Sequence, residues 1–195
     1  MADIVLASAS PRRRVLLAML GLAVEVKPAD IDEAAIAQGL APGAAVLEVA
    51  RAKVAAIDDA RIVLAADTLV VCQGQVLGKP ADRVDARDML RFQSGQNVRV
   101  LSGVAVRSRD GQIHTAEAAS TLAVTVLAEG DIDSYLETGE ADDKAGGLAV
   151  QGAAKPLTSL RSGSRSNVYG LPLTETIGLL LAAGIPVEQP HAGAL

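Results

Sequence analysis

Short apolar runs alternate with amphipathic stretches along most of the chain. Residues 3–7 (DIVLA) form a short apolar run of the kind that makes a buried strand. Ser8-Ala9-Ser10-Pro11 breaks it, with Ser10 suited to cap a helix and Pro11 to its first position. RRRVLLAMLGL is then expected to run as a helix to Gly21. LAVEVKPADIDE predicts a second strand followed by an acidic loop. From Gly43 to Ala56, Val46, Val49, Ala50, Lys53 and Val54 recur at helical spacing, which predicts an amphipathic helix. RIVLAAD (61–67) reads as a strand, and TLVVCQGQVLGKP as a hairpin turning near Gln73-Gly74. Helical periodicity returns from Pro80 to Phe92. NVRVLSGVAVRS and QIHTAEAASTLAVTVL are two β segments joined at Arg109-Asp110-Gly111. GDIDSYLET predicts a short helix, while GEADDKAGGLAVQGAAKPL and SGSRSNVYGLP read as loops. LTETIGLLLAAG is a last helix closed by Gly184, and residues 187–195 are expected to form a frayed tail. Neither a repeat nor a linker divides the chain, so residues 1–186 are expected to act as one domain. The sum is α/β, a mixed twisted sheet with flanking helices.

Composition narrows the function. The chain has 195 residues, 18 Lys+Arg against 23 Asp+Glu and a formal charge of −5. Half its residues are hydrophobic, enough for a core, so disorder is excluded. There is no Trp, one Phe (Phe92) and two Tyr (Tyr135, Tyr169). An acidic chain with so few stacking platforms argues against a nucleic-acid partner. The single cysteine, Cys72, excludes an internal disulfide framework, and its apolar setting LVVC suits a buried, inert thiol. His114 and His191 do not suggest a zinc site. The N-terminus carries an acid before its apolar stretch and arginines after it, the reverse of a signal peptide, and no apolar run reaches the ~18 residues of a membrane span. A soluble, cytoplasmic protein without a membrane partner is expected.

Four segments carry chemistry. In Ser8-Ala9-Ser10-Pro11-Arg12-Arg13-Arg14, three arginines stand in the first turn of a helix, where the dipole opposes cations. An anion among them resolves the conflict, and phosphate suits both arginine forks and helix N–H groups; the alternative is a solvated basic face. In AADTLVV, Asp67 sits among apolar residues, where an unpaired charge is costly. A metal, an arginine or a catalytic duty would explain it; otherwise it caps a turn between strands. In Gly78-Lys79-Pro80-Ala81-Asp82, Lys79 offers an ammonium for a phosphate or is an ordinary exposed lysine, and Lys53, on the apolar face of its helix, is equally ambiguous because lysine snorkels. The fourth segment, Gly139 to Gly147 with Gln151-Gly152, brings Glu140, Asp143, Lys144 and Gln151 among glycines. Its alternative is a solvated loop with internal ion pairs. No Walker A loop, strand-linked GxGxxG or GxSxG elbow occurs. An anion site, one buried acid and scattered cations suit an enzyme acting on a polyphosphate with a divalent metal.

Taken together, LASASPRRRVLL (6–17), AADTLVV with LGKPAD (65–82), the SG…SGVAV block (94–106), TGEADDKAGGLAVQG (138–152) and SNVYGLPLTET (166–176) resemble the Maf family of nucleoside triphosphate pyrophosphatases. They occur in family order and cover most of residues 4–180. The resemblance implies a two-lobed α/β fold shared with inosine triphosphate pyrophosphatases, with the active site in a cleft between the lobes. It implies hydrolysis of a nucleoside triphosphate to monophosphate and pyrophosphate with a divalent cation, Mg²⁺ or Mn²⁺. By position in the motifs, Asp67 matches the catalytic acid that accepts a proton from water. Arg12, Thr68 and Gln151 match specificity positions; Ser8, Arg13, Lys53 and Lys79 match positions lining the phosphate path; Glu33 matches an acid that joins Asp67 in holding the metal. The DKAG…QG form resembles the branch acting on dTTP and UTP, whereas the 7-methyl-GTP branch usually has Glu where Gln151 stands. Asn97 replaces a common His and Ala141 a usual Pro. Neither touches Asp67 or the arginines, and both bear on fine substrate preference. A homodimer is expected from the resemblance and from the prevalence of twofold dimers. The competing readings are a 7-methyl-GTP pyrophosphatase and a nucleotide-binding regulator of septum formation.

Overall fold

A computed structural model describes residues 4–187; His191 and all but the first residue of the expected tail lie outside them. In chain order the elements are β1 (Ile4–Leu6), α1 (Pro11–Ala18), β2 (Val24–Val26), α2 (Glu33–Ala37), α3 (Pro42–Ala56), β3 (Ile62–Cys72), β4 (Gln75–Leu77), α4 (Arg83–Gln93), β5 (Asn97–Arg107), β6 (Ile113–Val124), α5 (Glu129–Glu137), β7 (Thr158–Ser162), α6 (Arg165–Val168) and α7 (Leu173–Ala182). The strands form one seven-stranded mixed sheet in the order β2-β1-β3-β5-β6-β7, with β4 on β3. β1 is parallel to β2 and β3, while β4 runs antiparallel to β3 and β7 to β6. The expected α/β class, a mixed sheet flanked by helices, is what the chain forms. No helix among the described residues is long and apolar enough to cross a membrane.

The described residues divide into two compact units. One takes residues 4–68, 102–118 and 165–187, the other 69–101 and 119–164. The first shows the strand period directly. Ile4 and Leu6 of β1, Ile62, Leu64 and Ala66 of β3, and Val104 and Val106 of β5 share one core with Leu16 and Leu17 of α1 and Leu180 of α7. Their alternates, Val5, Ala7, Val63, Ala65 and Ala105, share a second core with Ala50 and Val54 of α3. Successive residues of a strand face opposite sides, so α1 and α7 cover one face and α3 the other. Gly103, an odd-numbered β5 residue on the α3 side, has no room for a Cβ: one would lie 2.3 Å from the Val46 carbonyl oxygen. The missing side chain lets α3 approach this closely.

The second unit has its own core of Cys72, Leu77, Leu90, Val98, Ile132, Tyr135 and Leu136. Burial pushes the Cys72 thiol up from its ordinary value, in keeping with an inert core residue. The β3–β4 hairpin turns at Gln73-Gly74 as expected, both at positive φ (48° and 81°), the pairing that a two-residue I′ turn requires.

Several boundaries differ from expectation. The α1 helix stops at Ala18, and Gly21, at φ 72°, reverses the chain. Ser10 occupies the N-cap of α1 without a side-chain capping bond. The acidic loop holds a five-residue helix, α2, capped by Asp32, which accepts from Ala35 N at 3.0 Å. The helix expected from Pro80 starts at Arg83, because Asp82 caps it by accepting from Val84 N and Asp85 N. Two elements have no counterpart in the expectations: the edge strand β7, short and polar, which forms between the two expected loops, and the single-turn α6, inside the second of them.

Candidate active site

The alternation that builds the first unit also sorts its polar groups. Ala7 N–H donates to the Leu64 carbonyl at 2.8 Å, extending the β1 pairing just past Leu6. Ser8, Thr68 and Ser102 continue the even-numbered series that faces α1, and Arg13 of α1 meets them there. Arg13 Nη1 donates to Ser8 Oγ (2.9 Å), Nη2 to Thr68 Oγ1 (3.3 Å) and Nε to the Gly170 carbonyl (2.8 Å). Thr68 Oγ1 lies 2.9 Å from the buried Ser102 Oγ. All three guanidinium nitrogens of Arg13 therefore hold the protein itself. Burial pushes this guanidinium down from its ordinary value, while Asp67 and Glu33 pull it back up. Arg12 and Arg14 remain exposed.

Asp67 continues the odd-numbered series and so faces α3. Lys53, one turn beyond Ala50 on the buried side of α3, brings its Nζ to 2.9 Å from Asp67 Oδ1 and 2.9 Å from Glu33 Oε1. The Lys53 side chain is 7 % exposed, Asp67 13 % and Glu33 53 %. A buried ammonium requires an anion, and two converging carboxylates require a cation, so each side accounts for the other. Lys53 is thus no snorkelling surface lysine. Nor does Asp67 cap a turn: β3 runs unbroken from Ile62 to Cys72, with Asp67 in its middle. Asp67 is therefore a charged residue in mid-strand, tied to a buried lysine.

The second unit holds the other two expected residues. Lys79 is exposed just after β4, and its neighbour Gly78 accepts from Gly146 N through its carbonyl at 2.8 Å. Gln151 is exposed in the turn that follows. Buried side chains hold this segment by its main chain. Gln93 Nε2 donates to the Gly146 carbonyl (2.6 Å), and Tyr135 Oη donates to the Gly147 carbonyl (2.8 Å) and accepts from Ala149 N (2.8 Å). Asp143 and Lys144 pair with each other, as a solvated loop with an internal ion pair would.

The first unit therefore holds two clusters, Ser8, Arg13 and Thr68 on the α1 side and Asp67, Lys53 and Glu33 on the α3 side. Sequence reasoning missed Ser102 and the Gly170 carbonyl. Ser102 had a signal: it is a hydroxyl inside a run of buried β5 positions, where a polar group needs a partner. A main-chain carbonyl such as that of Gly170 leaves none.

The chain is similar to known proteins over nearly all its length. The family model described as Maf-like protein matches residues 3–183. A dTTP/UTP pyrophosphatase of Anaeromyxobacter dehalogenans is 50 % identical over 192 residues, 96 % of this chain and 98 % of that protein. A dTTP/UTP pyrophosphatase of Sphingopyxis alaskensis is 43 % identical over 96 % of this chain and 100 % of its own. Among solved structures, a dITP/XTP pyrophosphatase of Mycobacterium abscessus covers 92 % of each chain at 17 % identity with a TM-score of 0.42, too slight a likeness to carry weight.

Proposed function

The chain belongs to the Maf-like protein family, and from that premise we propose that it hydrolyses dTTP and UTP to the monophosphate and pyrophosphate. It is thus a nucleoside triphosphate diphosphatase. The observation that carries the chemistry is the pairing of mid-strand Asp67 with buried Lys53. The pyrimidine substrate rests on the relatives, which bear that activity in their names and match 96 % of the chain.

Water attacks the α-phosphorus in line with the leaving group. A new P–O bond forms, the bond to the bridging oxygen breaks, and pyrophosphate departs with the electron pair. Asp67 takes the water proton on Oδ2, while Lys53 holds Oδ1 and keeps the carboxylate oriented. Arg12 and Lys79, both exposed, meet phosphate oxygens; Arg13 sets Ser8 and Thr68 in place. Gln151 both donates and accepts, which matches the O4 and N3–H edge of uracil or thymine.

Mg²⁺ or Mn²⁺ is part of the proposal. No group of three or more His, Cys, Asp and Glu able to hold a metal occurs among the described residues. The two carboxylates on Lys53 nevertheless fit such an ion, since Mg²⁺ takes one or two carboxylates together with substrate phosphate oxygens and water. Asp67 and Glu33 would hold it, and bound there it would neutralise charge on the phosphate oxygens. A cytoplasmic homodimer completes the proposal, its dimeric part supported by the prevalence of twofold dimers.

The test is pyrophosphate release from dTTP, UTP, CTP, 5-methyl-UTP, 7-methyl-GTP and ITP with Mg²⁺ or Mn²⁺, beside calorimetric titration of Mn²⁺. Fast release from dTTP and UTP is expected. A preference for 7-methyl-GTP would keep the chemistry and overturn the substrate; nucleotide binding without turnover would overturn the enzyme.

A further inference from the structure

Gln151 has an exposed side chain on a turn, and exposed turns do not hold a side chain in register without help. The turn is closed locally by Gly152 N donating to the Ala149 carbonyl at 2.8 Å. Its next N–H, that of Ala153, donates instead to Glu140 Oε2 at 2.8 Å. Glu140 comes from the segment just after α5, and its own N–H donates to Thr138 Oγ1 at 3.2 Å. The carboxylate also fills the space beside Gly152: a Cβ there would lie 2.0 Å from Glu140 Oε2 and 2.7 Å from its Cδ. Gly152 has no positive φ, so its conformation does not demand glycine, and the end of the flexible Glu140 side chain occupies the space beside it. Carboxylate and Gly152 lie against each other at the peptide that links Gly152 to Ala153.

We propose that Glu140 is a positioning residue for base recognition: by accepting from Ala153 N and lying against Gly152, it fixes the turn that presents Gln151 to the pyrimidine. This rests on the reading of Gln151 as the group that reads the base. In this role Glu140 acts through the turn, so its effect falls on which base is bound and not on the attack at phosphorus. A hydrogen bond to a charged acceptor, partly screened at this site, corresponds to about a tenfold effect.

The experiment compares steady-state constants for dTTP and for dGTP, a purine control, in E140A, E140D, E140Q, Q151A and E140A/Q151A, with folding checked by circular dichroism. The expected result is a dTTP-to-dGTP ratio of kcat/KM about tenfold lower in E140A, carried by KM for dTTP. E140D keeps the charge but loses the reach and should behave like E140A, which covers the case in which E140A fails to fold. E140Q keeps an acceptor oxygen and should restore the ratio to within about twofold. The double variant should be no worse than Q151A, because Glu140 acts through Gln151. Effects that add in the double variant, or an equal fall in kcat for both nucleotides, would overturn the role. If Q151A shifts the preference and the Glu140 variants do not, the positioning role falls alone. If Q151A leaves the preference unchanged, the base-reading role of Gln151 falls and Glu140 with it.

Discussion

In the first unit the polar side chains hold one another. Lys53 bridges Asp67 and Glu33, and Arg13 ties Ser8, Thr68 and the Gly170 carbonyl. In the second unit side chains hold the main chain instead: Gln93, Tyr135 and Glu140 grip Gly146, Gly147, Ala149 and Ala153, while Lys79 and Gln151 remain exposed. The two designs suit different tasks. The proton transfer proposed for Asp67 would need a carboxylate fixed in place, as the network on β3 and α3 fixes it. The base discrimination proposed for Gln151 would need an exposed hydrogen-bonding group on a held turn. A strand-borne network should therefore be sensitive to substitution in turnover and stability together, and a clamped turn mainly in substrate preference.

The largest expected effect breaks the first design at its centre. D67N removes the proposed proton acceptor and should lower pyrophosphate release by about 10²–10⁴-fold. A correctly folded D67N retaining more than about a tenth of parental turnover would remove Asp67 from that role. Next in size is K53M, which keeps the apolar stem and deletes the ammonium. Breaking a buried pair by removing one partner costs about 3–5 kcal/mol. Because Glu33 is half exposed and solvent screens that partner, about 2 kcal/mol is expected here. For a chain of this length that is a fall of about 4–8 °C in Tm. The double variant K53M/D67N should recover part of the loss, since it no longer buries an unpaired acid; full additivity in calorimetry would mean that the two groups are uncoupled.

The smallest effect sharpens the comparison from outside the site. Asp59, also in the first unit, accepts from Arg61 and Lys27, and these two cations hold its carboxyl well below the usual carboxylate range. A depressed carboxylate stabilises the fold above its unfolded pKa, and that contribution is lost as pH falls toward the folded value. D59N should thus lower Tm modestly at pH 7, and the difference from the parent should narrow below about pH 4. A gap that stays constant down to pH 2 would show that the ion pairs contribute nothing. Lys53–Asp67 and Arg61–Asp59 are both close ion pairs, but only the first has a buried cation, so only it should move activity and stability at once.

Much of this was legible in the residues, and the rest fails for identifiable reasons. Ser8 to Arg14 announced a strand end, a turn and a helix start because those signals adjoin in sequence. Lys53 was ambiguous because its partner Asp67 lies 14 residues away, and only the strand alternation shows that both face the same layer. Asp67 looked like a strand end because an acid within an apolar run resembles a turn; continuous pairing through Cys72 overrides that preference. β7 went unseen because an edge strand with polar residues lacks a buried alternation. Glu140 was visible as a charged residue in a glycine-rich loop, but its partner is an N–H that any residue carries.

The two-residue period of β3 has a further consequence for how such a chain changes over evolutionary time. Asp67 and Thr68 stand on opposite faces only because of their count from Ile62. A single-codon insertion or deletion between Ile62 and Ala66 would exchange those faces, presenting the acid to Arg13 and the hydroxyl to Lys53. Every residue type would survive and the chemistry would not. The spacing within this strand should therefore be as tightly constrained as the residues themselves, and length variation should collect at the surface turns, such as Arg109-Asp110-Gly111.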